Sequence, residues 1–245
     1  MKKQDIYQLL ETKMLSYTDY ADVPVKPSAE PLFPILSSRN LTARQIDKDM
    51  LAFTGESVHV REGVLARLQE AAEALAAYDV DLQLEVVYGY RALQIQKQLF
   101  EKYKAELAGE YKGEALLAAV HRLVAVPEVA GHPAGAAVDI QIIKNGEPLN
   151  FGTNVHEFVP DTFTFSPFIS REAWNNRQLL RRVMMTVGFA PFDGEWWHFS
   201  YGDKEWARFY GKSWALYGQI NFSVTKVSIE GCFLTLDLLG EQYVH

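Results

Sequence analysis

Cysteine is almost missing from this chain; Cys232 stands alone. It has no internal partner for a disulfide, and a thiolate-based zinc site would lack ligands. Any metal must therefore be held by His, Asp or Glu. Long apolar runs are missing too. No stretch reaches the roughly 18 residues that span a bilayer. The start, Met1-Lys2-Lys3-Gln4-Asp5, leads into no apolar signal-peptide core, so a cytoplasmic protein is expected. Positive charge is scarce: Lys and Arg total 24 against 31 Asp and Glu, a net charge of −7. That excludes a global basic surface for nucleic acid. The short cluster Arg177, Arg181, Arg182 falls in an amphipathic helical pattern and reads as a solvated helix face. Histidine is rare, with six in 245 residues.

What is present is an ordinary globular composition, 48% hydrophobic and 22% charged, in a chain long enough to bury a substantial core. Residues 17–40 are rich in Pro, Ser and Asp and read as an irregular arm on the surface or across a cleft. Thr42-Ala43-Arg44-Gln45 has capping-box spacing, which predicts a helix start. Val64, Leu65, Leu68, Ala71, Ala72, Leu75 and Ala76 mark an amphipathic helix. Residues 82–88 read as a strand stopped by Gly89. Ile95, Leu99, Tyr103 and Leu107 predict another helix.

Pro127, Gly131, Pro133 and Gly135 signal a loop. A buried strand is expected over 136–143, followed by a tight turn at Asn145-Gly146. Leu179, Leu180, Val183, Met184 and Val187 line a helix capped by Ser170 and ended by Gly188. Residues 195–201 read as a strand. Residues 220–227 and 232–238 alternate around Glu230-Gly231 as a final hairpin. The expectation is α+β: a single domain with a central antiparallel sheet flanked by helices. It divides into an N-terminal arm (1–40), a main body (41–217) and a hairpin extension packed on that body (218–245).

Two histidines keep unusual company. His132 opens His-Pro-Ala-Gly-Ala-Ala-Val-Asp, which ends at Asp139; His198 closes Glu-Trp-Trp-His, which opens at Glu195. A catalytic zinc takes three His or carboxylate ligands and leaves a position for water. His132, Asp139 and His198 would supply such a set. In a regular strand residues seven apart face opposite sides, so His132 must come off the loop, with Gly135 allowing the bend. Glu195 and His198, three apart, also need a bend near Gly194 or a loop position for Glu195. Either places a carboxylate beside the metal as a base for its water. Each piece alone has a plainer reading. His132 suits a surface loop, Asp139 a turn, Glu-Trp-Trp-His an aromatic core strand and Arg91 a surface charge.

Together the segments resemble a known family, the zinc D-alanyl-D-alanine dipeptidases associated with vancomycin resistance and the related D,D-carboxypeptidases. The family pattern is Ser-x-His-x-x-Gly-x-Ala-x-Asp, then Glu-x-x-His. His132, Gly135, Ala137 and Asp139 match the first; Glu195 and His198 match the second. Asn176-Arg177-x-Leu179-Leu180, Gly188-Phe189 and Gly89-Tyr90-Arg91 resemble the dipeptidase branch. The resemblance covers roughly residues 54–217. It implies a peptidase acting on D-Ala-D-Ala or a related short peptide, with one zinc per chain, Glu195 as base and Arg91 stabilising the transition state. Tyr90, His156 and Glu157 are implied at the substrate. Two departures stand out. Ala130 replaces the family's serine, and His156 replaces an aspartate that faces the substrate's amino group, so either Glu157 turns inward to take over or the preferred substrate has no amino group at that place. The competing readings are a D,D-carboxypeptidase or endopeptidase on peptidoglycan peptides, and a zinc-stabilised binding module without turnover.

Overall fold

The computed structural model describes residues 2–26, 28–229 and 232–236. Its helices are α1 (Lys3–Glu11), α2 (Tyr17–Tyr20), α3 (Glu62–Tyr78), α4 (Leu93–Leu107), α5 (Gly113–His121), α6 (Arg171–Thr186) and α7 (Lys204–Phe209). The strands are β1 (Leu32–Pro34), β2 (Leu41–Ala43), β3 (His59–Arg61), β4 (Leu82–Tyr88), β5 (Ala137–Lys144), β6 (Glu147–Pro148), β7 (Ala190–Pro191), β8 (His198–Ser200), β9 (Thr225–Ile229) and β10 (Cys232–Leu236). No helix among the described residues is long and apolar enough to cross a membrane.

The architecture is the expected α+β, built on a six-stranded sheet of order β2-β4-β5-β8-β7 with β6 beside β5. One pair departs from the antiparallel expectation: β2 runs parallel to β4. The same segment overturns the helix expected from Thr42. Arg44 N–H donates to the Val86 carbonyl and Ile46 N–H to that of Val87, while Arg44 pairs with Glu85 at 3.1 Å. Pairing with an exposed strand edge satisfies more backbone than a local capping box does.

Alternation along β5 sorts the sheet into two faces. Val138, Ile140 and Ile142 join Leu84 and Val86 of β4 under α3 and α6, whose Leu68, Leu75, Leu180 and Met184 are buried with them. The opposite face carries Asp139 and Gln141, and Gln141 donates to Glu85 at 2.7 Å. A β-bulge matters here. Val86 pairs with Ile140, but Tyr88 pairs with Asp139. Val87 is the extra residue, so Tyr88 turns onto the polar face beside Asp139.

Several local expectations hold. Asn145 and Gly146 both take positive φ, as a type I′ hairpin turn demands. Ser170 Oγ accepts from Ala173 N–H at 3.1 Å at the start of α6, and Gly188, φ +92°, follows its end. β9 and β10 pair as a hairpin, although β9 begins only at Thr225, so residues 220–224 of the expected strand are not part of it; Glu230, Gly231 and residues 237–238 of that expectation lie outside the described residues. Residues 17–40, expected as irregular chain, contain α2 and β1. Arg177 is not on a solvated face. It is fully buried, and donates to the carbonyls of Phe151, Asp161 and Phe163 at 2.7–2.8 Å.

Candidate metal centre

Asp139 and His198 are direct cross-strand partners in the β5–β8 ladder. Asp139 Oδ1 and His198 Nδ1 lie 3.0 Å apart. His132 arrives from the loop before β5, in a short 3₁₀ turn that ends at Gly135 with φ +67°, the left-handed bend the sequence required. Backbone bonds to the Gly89–Arg91 segment fix its position. Arg91 N–H donates to the His132 carbonyl at 3.2 Å, and His132 Nδ1 lies 2.7 Å from the Gly89 carbonyl. A carbonyl only accepts, so Nδ1 carries the proton and Nε2 keeps a lone pair. That lone pair lies 3.5 Å from Asp139 Oδ2. Gly89 is required here, because a Cβ would come within 2.6 Å of the His59 carbonyl oxygen.

One ligand atom each from His132, Asp139 and His198 falls within 4.8 Å of the others. This donor set fits zinc: two imidazoles, one carboxylate, one imidazole already oriented by a backbone acceptor. Burial pushes the His132 pKa down to about 4, which keeps the ring neutral. Burial would raise the Asp139 carboxyl, but the hydrogen bonds it accepts from His156 and His198 prevail and hold it well below the usual carboxylate range.

The strand expected over 195–201 is shorter than that. Its first three residues form a turn, with His198 N–H bonded to the Glu195 carbonyl at 3.1 Å. Glu195 therefore approaches from the turn while His198 projects from β8. Both line one pocket with His132, Asp139, Arg91 and His156. Burial pushes the Glu195 pKa up to about 7, with Asp139 adding to it and His198 opposing. Arg91 is anchored by Nε to the Tyr88 hydroxyl at 3.1 Å and by Nη1 to Gln96 at 3.0 Å.

Two expected site residues are not brought in. Tyr90 is buried and its hydroxyl donates to the Ile220 carbonyl at 3.0 Å. Glu157 is exposed and its carboxylate turns back on its own loop, accepting from Asn154 N–H at 2.9 Å. Others went unnoticed in the sequence. Tyr20, Gln96, His121 and Glu205 line the pocket, and Asp47 meets His156 at 2.9 Å. Gln96 carried a legible signal, as a polar residue inside the apolar stripe of α4. Tyr20 and Glu205 carried none.

A His–Asp–His cluster with two members on a sheet and one on the turn before it, and a half-buried glutamate lining the same pocket, has the arrangement of a metal-dependent hydrolase. Comparison with known proteins narrows this. The chain belongs to the D-ala-D-ala dipeptidase family, peptidase family M15, whose model matches residues 52–215. It is similar to a D-alanyl-D-alanine dipeptidase of Synechocystis sp., 29% identical over 221 residues, covering 77% of this chain and 88% of that protein. Among solved structures it resembles a variant of the vancomycin-resistance D,D-pentapeptidase VanY from a VanB-type cassette in complex with Zn(II). That match has 20% identity, 80% and 96% coverage of this chain and that one, and a TM-score of 0.40. VanYB in complex with D-alanine-D-alanine matches at 19% identity, 79% and 93% coverage, and a TM-score of 0.41.

Proposed function

We propose that this chain is a zinc dipeptidase that hydrolyses D-Ala-D-Ala, with one zinc held by His132, Asp139 and His198. The carrying observation is the convergence of these three side chains with Glu195 and Arg91 on one pocket, in a member of this family. Bound zinc would supply a Lewis acid that polarises the scissile carbonyl and acidifies the attacking water. Glu195 takes the proton from that water and passes it to the leaving amine. Arg91, held by Tyr88 and Gln96, offers N–H donors to the developing oxyanion. Trp197 packs beneath the pocket and excludes bulk water.

The test is release of free D-Ala from D-Ala-D-Ala by the purified protein. Activity should vanish with chelator and return with zinc. Zinc-loaded protein that releases no D-Ala would overturn the reading. One observation favours a second reading, a carboxypeptidase or endopeptidase on longer peptides. A groove of about 780 Å³ between α1 and residues 158–163 shares Leu123, Phe158 and Phe192 with the pocket. Nα-acetyl-L-Lys-D-Ala-D-Ala assayed beside the free dipeptide separates the two.

A further inference from the structure

His156 stands where the resemblance implied a substrate contact, yet both of its ring nitrogens are taken up by carboxylates. Nε2 lies 2.9 Å from Asp139 Oδ2, and Nδ1 lies 2.9 Å from Asp47 Oδ2. We infer that Asp47 and His156 are positioning residues that clamp the Asp139 carboxylate for the metal. This rests on the zinc reading above.

A carboxylate has about four lone-pair directions. In Asp139, Oδ1 faces His198 and Oδ2 faces His132 across 3.5 Å. The His156 N–H occupies a further direction on Oδ2, which stops the carboxylate rotating about its Cβ–Cγ bond. Groups hydrogen-bonded to a ligand set its orientation and basicity, and losing one weakens metal binding about 10–100-fold.

The clamp is itself rigid. His156 sits at φ +60°, a conformation uncommon for residues other than glycine, which persists where surroundings over-determine it. Its ring lies parallel to Phe158 and edge-on to Trp197 and Tyr88, with centroids 5.9–6.3 Å apart. Asp47 follows two residues whose N–H groups, Arg44 and Ile46, are pinned to β4. The segment that lost its expected helix therefore carries the outer carboxylate to the site.

The experiment is zinc affinity, by competition with a chelator of known strength, for the parent protein, His156→Ala, His156→Gln, Asp47→Asn and the His156→Ala/Asp47→Asn double variant. Thermal melts of the metal-free forms run alongside. His156→Ala should bind zinc about 10–100-fold more weakly, and His156→Gln, which keeps an N–H donor, should recover part of that. Asp47→Asn should weaken binding a few-fold, and the double variant should be no weaker than His156→Ala, because Asp47 acts through His156. Unchanged zinc affinity in His156→Ala, with an unchanged metal-free melt, would overturn the clamp. If His156→Ala does not fold, Asp47→Asn decides, since its side chain is half exposed. Parent-like affinity there overturns the clamp as well. A parent protein that fails to bind zinc would instead remove the metal reading beneath it.

Discussion

Asp139 and His198, 59 residues apart in sequence, face each other across one rung of the β5–β8 ladder with Oδ1 and Nδ1 3.0 Å apart. Strand register thus fixes two of the three proposed ligands before any metal arrives, and backbone bonds to Gly89 and Arg91 fix the third. Zinc should therefore bind with little rearrangement and stabilise the fold. Free zinc at about 100 times its dissociation constant adds about 2.7 kcal/mol. In a chain of this size that raises the melting temperature by about 5–10 °C. Alanine at His132, Asp139 or His198 should abolish the rise in a calorimetric scan. A full rise in any of the three variants would remove that residue from the set.

Glu195→Gln keeps the shape of the turn but cannot take a proton. Zinc content should stay at the parental level while turnover falls by on the order of 100-fold or more. Elemental analysis paired with the D-Ala release assay reads both. Loss of zinc together with activity would make Glu195 a ligand instead of a base.

Arg91→Ala should lower kcat by on the order of 100-fold with a much smaller change in KM, because its proposed partner develops only in the transition state. Tyr88→Phe leaves the ring under the guanidinium, 4.6 Å away, and removes the hydroxyl that Nε holds. Its kcat should drop only several-fold. Steady-state kinetics on D-Ala-D-Ala gives both values, and a pure KM effect in Arg91→Ala would reassign it to ground-state binding.

How much of this was legible in the sequence depends on whether one residue's role is set locally. Leu82–Tyr88 and the turn at Asn145-Gly146 were readable because alternation and turn chemistry are local properties. The His132, Asp139, His198 set was readable as residue types, which zinc chemistry restricts, and its order along the chain only through the family resemblance; the structure brings one ligand atom of each within 4.8 Å of the others. The parallel β2–β4 pair was not, because it depends on which strand edge the fold leaves open. Nor was the bulge that turns Tyr88 toward Asp139. The Asp47–His156 contact was hidden with the first of these, because Asp47 follows the segment that the β2–β4 pairing pins to β4.

Arg177 offers a stability test of the buried cation that sequence pattern placed in solvent. It donates to three carbonyls in the 151–163 loop. Arg177→Met fills similar volume and leaves those carbonyls without a partner. The expected loss is on the order of 3–5 kcal/mol, from several charge-assisted bonds removed at once. Urea denaturation of the metal-free protein measures it. A loss under about 1 kcal/mol would mean that water or a neighbouring group replaces the guanidinium.

Glu205 gives a pH dependence of known sign. Burial, reinforced by Asp203, pushes its carboxyl from the ordinary 4.5 up to about 8. Between those two values the folded chain holds a proton that the unfolded chain has released. Raising the pH through that window therefore favours the unfolded state. Below about pH 4.5 both states are protonated and Glu205 makes no difference; above about pH 8 the full penalty stands. Glu205→Gln carries no such proton. The metal-free variant should melt above the metal-free parent at pH 8, and the gap should close as the pH falls toward 5. The side chain is partly exposed, so solvent screening reduces the size of the gap without changing its direction. Melts of both proteins in chelator at pH 5, 6, 7 and 8 give the comparison. A gap that is constant across the series would show that the glutamine acts through packing, and that Glu205 is ionised throughout.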